Sequence, residues 1–479
     1  MSDRTAFIDR RAELASLERA WRSGRPQLVL ITGRRRVGKS ALLVRFARGK
    51  RISFIAAAQR LRKDQLADAA QDIAALANGF RVGRPPTIRL DDWDALLDLV
   101  AEQAADRRCG IIIDEFPYLV AESPDLPSLV QRWWDRTGSR SHAFVVLAGS
   151  HQAVMRDVAA SNGPLYGRAT VRRDLAPLDY YQAARFVPAW SPDDRVRAYA
   201  VAGGMPEYLR LLDDRRTLRQ NLEELAFVPD GPLFREAEYL FESEFREVSR
   251  RGSIFRAIAR GATTPNGIAQ SIGLGSAADV APNLRDLVVL GLIERVVPVT
   301  EEQALRQRRV LYRIGDPYLR FYFALLDPRR GQIALGPASH VSAGLTDEEL
   351  DVFVSRTFES VARSYVSRLA AVGDLPILQR VGTWWRDAEE IDVVGIGASA
   401  KIEVVGEAKW QASPMDGRDV DTLERRAALV GAPADVSKIL VSRSGFHSSA
   451  RRRAGVRLVT TKDLFAARLD VERAGMEAR

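Results

Sequence analysis

The chain of 479 residues contains a single cysteine, Cys109, and only four histidines, which are scattered along it. One cysteine excludes a disulfide within the chain and a zinc site built from cysteines, and it suits a reducing compartment. Scattered histidines disfavour a histidine metal cluster. No apolar run is long enough to cross a bilayer, and the first residues lack the apolar core of a signal peptide. We therefore expect a soluble, cytoplasmic protein with no membrane partner.

Apolar residues make up 46% of the chain, which is ample for packed cores, and the length predicts several domains. The formal net charge is +9. A basic excess favours polyanionic partners such as nucleic acid. Because the excess is spread along the chain, it does not identify a binding face.

The strongest local pattern is an apolar run, Leu28 to Thr32, that breaks into the loop GRRRVGKS and then into a helical pattern. The loop fits G-x-x-x-x-G-K-[ST], in which backbone N–H groups at the start of a helix cradle nucleotide phosphates. Lys39 is expected to reach the β- and γ-phosphates, and Ser40 to hold Mg²⁺. The candidate nucleotide-binding residues are Gly33, Arg34, Arg35, Arg36, Val37, Gly38, Lys39, Ser40 and Ala41. An ordinary strand-to-helix turn is the alternative.

A second apolar strand, beginning at Cys109, ends in two carboxylates, Asp114 and Glu115. Ligand sites in parallel sheets lie at the carboxyl ends of the strands. Asp114 is therefore a candidate Mg²⁺ ligand, and Glu115 is a candidate to orient and polarise the attacking water. A strand that ends in acids as a solvated turn is the alternative.

Two further candidates for the catalytic machinery are Ser150 and Arg168. Ser150 ends another buried strand and either senses the γ-phosphate or the attacking water, or caps a helix. Arg168 follows the turn PLYG and either contacts phosphate as an arginine finger, in its own chain or in a neighbouring subunit, or is an ordinary surface arginine. His151 has no assigned role. Strands that alternate with helices over this region predict a three-layer parallel α/β sheet.

Residues 251–326 fit three short helices followed by a β-hairpin, the pattern of a winged helix-turn-helix. If the module binds DNA, Asn283 and Arg285 face the major groove and basic residues of the wing contact phosphate. These wing residues are Arg306, Arg308 and Arg309. Asp279 and Asp286 keep the third helix from being notably basic. A module that packs within the protein is therefore the alternative.

Two predicted strands of the C-terminal region bring acidic residues and a lysine together. Glu407 and Lys409 are two residues apart and share one face of a strand, and Asp392 can lie opposite on the partner strand. Such a set suits a Mg²⁺ site beside a cation that positions water, which serves phosphodiester hydrolysis. Glu359 on the preceding helix is a further candidate metal ligand. Surface charge on an edge strand is the alternative.

The motifs GRRRVGKS, IIIDE, LAGS, PLYGR and GGMPEYL resemble the archaeal-type ATPases, which also occur in bacteria. These are P-loop ATPases of the additional-strand type, related to AAA proteins and close to the STAND regulators. In that family a winged helix follows, and then a domain of unknown function similar to PD-(D/E)xK nucleases. The motifs EID at Glu390 and GEAKW at Gly406 fit that domain, and YRIGDPYLRF fits the stretch between the two. The resemblance covers nearly the whole chain.

The resemblance implies ATP binding with Mg²⁺ through Lys39, Ser40 and Asp114, and hydrolysis assisted by Glu115. It also implies that Asp392, Glu407 and Lys409 are the nuclease-like positions. The expected division is a P-loop ATPase domain at 1–178, a helical lid at 179–250, a winged helix-turn-helix at 251–326, a linker at 327–345 and an α/β restriction-endonuclease-like domain at 346–479.

Three functions are compatible with this organisation. The leading hypothesis is a Mg²⁺-dependent ATPase that acts as a nucleotide-controlled switch on the winged helix and the nuclease-like domain. The alternatives are an ATP-gated nuclease that cuts DNA or RNA, and a DNA-binding regulator without nuclease activity. The expected partners are accordingly ATP, nucleic acid and further copies of the same chain.

Overall fold

The computed structural model describes residues 7–81, 86–244, 248–301 and 309–470. Backbone contacts divide the chain into two compact units, Met1–Pro177 and Leu178–Arg479. They are called here the first and the second unit. Within the described residues, no helix is both long enough and apolar enough to cross a bilayer.

The first unit is built on a five-stranded parallel sheet. Its strands are β1 (Gln27–Thr32), β2 (Ile52–Ala56), β3 (Cys109–Asp114), β4 (Ala143–Gly149) and β5 (Val171–Asp174), in the order β2-β3-β4-β1-β5. Strands β3 and β4 are buried along their whole length, as their runs of isoleucine, valine and leucine require in a sheet covered on both faces. The predicted α/β fold with a parallel sheet is confirmed.

Eight helices in the described part of this unit cover the sheet. They are α1 (Arg11–Arg22), α2 (Lys39–Ala47), α3 (Arg62–Asp72), α4 (Ala74–Ala77), α5 (Trp93–Gln103), α6 (Phe116–Glu122), α7 (Leu126–Arg136) and α8 (Gln152–Ala159). One cluster buries Trp93, Phe116 and Trp133 against the sheet. Phe144 of β4 contacts Trp21 of α1 and Phe46 of α2, with ring centroids 5.3 and 5.4 Å apart.

The second unit begins with helices. They are α9 (Tyr180–Ala183), α10 (Pro192–Ala202), α11 (Pro206–Leu209), α12 (Leu218–Leu225), α13 (Pro232–Glu244), α14 (Val248–Ala259), α15 (Pro265–Ser271) and α16 (Ala277–Val289). An antiparallel pair follows, β6 (Ile293–Val296) and β7 (Leu311–Ile314). Helices α14 to α16 and this pair occupy the region for which a winged helix-turn-helix is predicted.

Four more helices lead to the last sheet. They are α17 (Pro317–Phe321), α18 (Arg330–Leu335), α19 (Ala338–Gly344) and α20 (Asp347–Ala371), with a π-helical segment at Tyr322–Leu326. Residues 327–345, predicted as a linker, are thus largely helical, and Ile333 and Val341 are buried. Pro328 and Gly331 lie in this stretch, and the proline stands at the start of a 3-10 turn, where its missing N–H is tolerated.

The C-terminal sheet has five strands in the order β12-β11-β10-β9-β8. Its elements are β8 (Arg380–Arg386), β9 (Glu389–Ile396), β10 (Ile402–Lys409), α21 (Gly417–Val430), β11 (Ser437–Ser442), α22 (Ser448–Arg451) and β12 (Val456–Thr460). Strands β8, β9 and β10 are antiparallel, whereas β10, β11 and β12 are parallel. The mixed sheet keeps β10, with its acid and lysine, at the centre.

Two motifs behind the family resemblance pack on each other inside the second unit. The rings of Tyr208, from GGMPEYL, and Tyr318, from YRIGDPYLRF, lie 4.8 Å apart. Tyr208 donates a hydrogen bond to Glu236 at 2.8 Å. A Cβ atom on Gly204 would lie 1.8 Å from the Leu178 carbonyl oxygen, so only glycine fits there. The role of these motifs here is therefore packing.

Candidate functional site

The glycine loop joins β1 to α2 through three residues with left-handed backbone angles. Gly33, Arg36 and Gly38 have φ angles of 149°, 68° and 95°. A Cβ atom on Gly33 would lie 2.8 Å from the Leu175 carbonyl oxygen, so a side chain does not fit there. Helix α2 begins directly after Gly38, and the N–H groups of its first turn are the natural donors to an anion. The loop has the form of a phosphate cradle.

Lys39 is 4% exposed and is held at this loop by backbone carbonyls. Its Nζ donates to the carbonyl oxygens of Gly33 at 2.9 Å and Arg34 at 3.1 Å. The same Nζ lies 3.9 Å from Glu115 Oε1. A buried ammonium held in this way is a fixed positive charge beside the cradle, as the motif requires.

Two arginines, one before the loop and one within it, connect the loop to its surroundings. Arg10 donates to the carbonyl oxygens of Val37 at 3.0 Å and Ala176 at 2.7 Å, and it is buried. Arg35 donates to the Tyr118 hydroxyl at 2.7 Å. Sequence reasoning missed Arg10, since it lies 23 residues before the loop motif and carries no motif of its own.

Asp114 ends β3 beside Ser40, the predicted Mg²⁺ ligand of the loop. Burial raises the pKa of the Asp114 carboxyl, a hydrogen bond from Ser40 opposes this rise, and the Glu115 charge adds to it. The net result is a pKa above the usual range for aspartate. A hydroxyl and a carboxylate are hard oxygen ligands of the type that Mg²⁺ prefers. The two residues therefore fit the metal that the motif implies.

Glu115 is held by the residue that follows β4. Its Oε2 accepts hydrogen bonds from Ser150 Oγ at 2.8 Å and from the Ser150 backbone N–H at 3.0 Å. Because β4 lies between β1 and β3, Ser150 stands between the loop and the acids. The N-cap residue of α8 is His151, which makes no side-chain capping bond. The Ser150 hydroxyl thus bonds to Glu115 instead of capping a helix.

Arg168 lies elsewhere on the first unit, in a two-pronged ion pair with Asp135 of α7. Its Nε and one terminal nitrogen donate to the two Asp135 oxygens at 2.8 and 2.7 Å. Hydrogen bonding to Asp135 raises the pKa of Arg168. Its other recorded bonds go to the carbonyls of Pro164 and Tyr166. The structure brings Lys39 and Ser150 together with the acids, whereas a phosphate contact of Arg168 stays a prediction.

The structure describes three of the five residues that are predicted to contact DNA from the module of α14 to β7. Arg285 is exposed on α16 and Asn283 is half-buried. Arg309 is engaged within the second unit, since it bonds to Glu301 and to the Trp385 carbonyl of β8. The other two predicted wing contacts, Arg306 and Arg308, lie outside the described residues.

In the C-terminal sheet, β9 and β10 bring Asp392 and Glu407 together. Gly406 pairs with Val393, and the Asp392 carboxylate accepts from the Ala408 N–H at 2.9 Å. Burial, reinforced by the Asp392 charge, raises the pKa of Glu407 to about 7. The same two causes raise the pKa of Glu359 on α20 to about 7.

These acids do not assemble into a finished metal site. Among the residues that the structure describes, no three histidine, cysteine or acidic side chains are grouped so that they could hold a metal ion. Both Glu407 oxygens accept from Arg426 of α21, at 3.0 and 3.1 Å. Lys409 lies 2.5 Å from Asp419 of the same helix. Sequence reasoning named the acids and the lysine but missed both partners on α21.

Two regions of the chain match known protein families. Residues 7–212 match an ATPase domain found predominantly in Archaea. Residues 322–422 match a family of archaeal and bacterial proteins of unknown function. Because no activity is described for the second family, the nuclease-like interpretation stays a prediction.

Several individual archaeal proteins are similar to this chain. An uncharacterized protein of Methanocaldococcus jannaschii is 28% identical over 438 residues, which are 89% of this chain and 92% of that protein. An uncharacterized ATP-binding protein of the same organism is 44% identical over 46 residues, which are 10% of this chain and 78% of that protein. The solved structure of a Walker-type ATPase of Pyrococcus abyssi covers 66% of this chain and 96% of its own, at 21% identity and a TM-score of 0.49.

The phosphate cradle with its buried lysine and the β2-β3-β4-β1-β5 order of the parallel sheet agree with the family match. Together they show the P-loop fold for this part of the chain, which is similar over residues 7–212 to an ATPase domain.

Proposed function

We propose that the chain is a Mg²⁺-dependent ATP hydrolase whose nucleotide state acts as a switch on the second unit. The observation that carries the hydrolase part is the position of Glu115. Two hydrogen bonds from Ser150 fix one of its oxygens, and the other lies 3.9 Å from the ammonium of Lys39. A carboxylate held in this way beside a phosphate cradle is equipped to orient water for attack on a phosphoryl group.

Each residue then has a definite task in hydrolysis. Lys39 and the N–H groups at the start of α2 bind the phosphates. Ser40 and Asp114 hold Mg²⁺, which when bound neutralises charge on the β- and γ-phosphate oxygens. Glu115 orients the attacking water and polarises it, and Ser150 keeps Glu115 in the required direction.

Replacement of Ser150 by alanine tests this assignment. The wild type is expected to release phosphate from ATP with Mg²⁺ and to stop when EDTA removes the metal. Ser150→Ala removes one of the two donors to Glu115, at 2.8 Å. A hydrogen bond to a charged group contributes about 1.5–3 kcal/mol, so kcat should fall by about 10- to 150-fold. The KM for ATP should change little, since the phosphate-binding groups remain.

Ser150→Thr is the matched control, because it keeps the hydroxyl and should retain most of the activity. A rise in KM with an unchanged kcat would show that Ser150 binds substrate instead of positioning Glu115. Hydrolysis that continues in EDTA would contradict the Mg²⁺ dependence of the proposal.

A second candidate function is Mg²⁺-dependent cleavage of a phosphodiester in the C-terminal sheet. The pairing of β9 with β10 favours it, since this pairing sets Asp392 beside Glu407 and places Lys409 two residues further along the same face. Carboxylates at this spacing are suited to holding Mg²⁺, and a neighbouring lysine is suited to stabilising charge on a phosphate.

Supercoiled plasmid and single-stranded RNA, each with Mg²⁺ and with or without ATP, are the substrates that test this activity. Cleavage by the wild type is expected to fall at least about 100-fold in Lys409→Ala, because a positioned charged group contributes on that scale. Lys401→Ala is the matched control, since Lys401 is an exposed lysine near the turn of the same hairpin. Equal loss in both variants, or cleavage that survives Lys409→Ala, would assign the activity elsewhere.

A further inference from the structure

One face of helix α21 supplies a counter-charge to both key residues of β10. Arg426 donates to the two oxygens of Glu407 at 3.0 and 3.1 Å, and Asp419 lies 2.5 Å from the Lys409 ammonium. Asp419 and Arg426 are seven residues apart, which is two helical turns, so they lie on the same side of the helix. Glu407 and Lys409 are two apart on a strand and share a face. The two ion pairs therefore form one helix-to-strand contact.

Both ends of this contact are anchored by further bonds. The second carboxylate oxygen of Asp419 accepts from the Asp416 N–H at 2.7 Å, as part of the cap at the start of α21. Nε of Arg426 donates to Glu389 of β9 at 2.9 Å. The side chains of Glu407, Asp419 and Arg426 are 14%, 15% and 19% exposed. The Lys409 side chain is 36% exposed. Screening by solvent is therefore weak for the Arg426–Glu407 pair and stronger for the Lys409–Asp419 pair.

The position of Arg426 conflicts with a metal ion on Glu407. A divalent cation such as Mg²⁺ binds a carboxylate oxygen at about 2.0–2.1 Å. One terminal nitrogen of Arg426 already donates to both oxygens of Glu407, and the positive charge of this guanidinium repels a metal cation at the same carboxylate. A second arginine, Arg363 of α20, donates to the Asp392 carbonyl at 3.0 Å. Two guanidinium groups thus place positive charge beside these acids, where a metal ion would otherwise stand.

We propose that Asp419 and Arg426 form a latch, the α21 latch, that keeps the Asp392–Glu407 centre from binding a divalent cation until this face of the helix withdraws. The inference rests on the second candidate function, and it explains why the predicted ligands stand side by side without forming a metal site. Withdrawal frees Glu407 for the metal and Lys409 for the phosphate in a single movement, because both partners lie on one helix.

Mn²⁺ binding to the full chain without nucleotide, followed by electron paramagnetic resonance, tests the latch. Arg426→Gln is expected to bind Mn²⁺ at least ~10-fold more tightly than the wild type, because it removes the competing positive charge. The gain should vanish in the double variant Arg426→Gln with Glu407→Gln. Arg425→Gln is the matched control, since Arg425 carries the same charge on the same helix and pairs with Glu389. It should leave Mn²⁺ affinity unchanged.

Three outcomes overturn the latch. In the first, the wild type binds Mn²⁺ as tightly as Arg426→Gln does, and Glu407→Gln weakens the binding. This result would support the metal centre and refute the latch. No binding at Glu407 in either protein would remove both the latch and the phosphodiesterase centre, while ATP hydrolysis by the first unit would be unaffected. An equal gain in Arg425→Gln would reduce the effect to overall charge. Arg426→Met, which keeps the apolar stem, replaces Arg426→Gln if a thermal melt shows that the latter is unfolded.

Discussion

Lys39→Ala is expected to weaken ATP binding by about 10³-fold and to abolish turnover. The Lys39 ammonium is buried and held by the Gly33 and Arg34 carbonyls at the mouth of the loop. A charge pair about 4 Å apart is worth about 4 kcal/mol at an effective dielectric constant near 20, and each 1.4 kcal/mol is a factor of about ten in affinity. Isothermal titration calorimetry with MgATP measures the loss directly.

Lys63→Ala is the control for this experiment, because Lys63 is an exposed lysine on α3 of the same unit. It should bind MgATP like the wild type. The thermal melt of Lys39→Ala shows whether the variant is folded. Normal ATP binding by a folded Lys39→Ala would refute the assignment of the loop.

The geometry of the glycine loop could be predicted because its information is local. The positions of Gly33, Lys39 and Ser40 follow from a strand, a tight turn and a helix start within a few residues. The bond between Ser150 and Glu115 spans 35 residues and depends on β4 lying between β1 and β3. A sequence shows that both strands end in polar residues, but not which polar groups will meet.

Ion pairs between distant elements were the hardest feature to predict. Arg168 bonds to Asp135, 33 residues away, because the turn before it directs the side chain towards α7. Arg426 reaches Glu407 because of the rotation with which α21 docks on β10. The seven-residue spacing of Asp419 and Arg426 was a visible signal that both lie on one helix face, yet nothing local says which strand that face meets. Long-range pairing is fixed by packing, not by motif.

Replacement of Glu115 by glutamine is expected to lower kcat for ATP hydrolysis by about 10² to 10⁴-fold while MgATP binding is kept. Glutamine retains an oxygen that can accept both Ser150 bonds, so its orientation survives, but it cannot polarise water as a carboxylate does. The Glu115 charge raises the pKa of Asp114, so its loss lowers that pKa and favours the ionised, metal-binding form. MgATP affinity should therefore be equal to or tighter than that of the wild type.

The Glu115→Gln variant also tests the switch separately from hydrolysis, since it should bind ATP without hydrolysing it. Hydrogen exchange of residues 178–470 is then expected to change when MgATP is added, because a switch must give the second unit a different free energy in the two nucleotide states. Glu122→Gln, an exposed position at the end of α6, the helix that follows Glu115, should keep normal turnover and serves as the control. If Glu115→Gln binds MgATP and hydrogen exchange beyond residue 178 is unaltered, the proposed ATP hydrolysis is unaffected but the proposed switch is refuted. If the variant hydrolyses ATP at the normal rate, Glu115 is not the residue that activates water. The two hydrogen bonds between Ser150 and Glu115 would then serve the structure of the first unit.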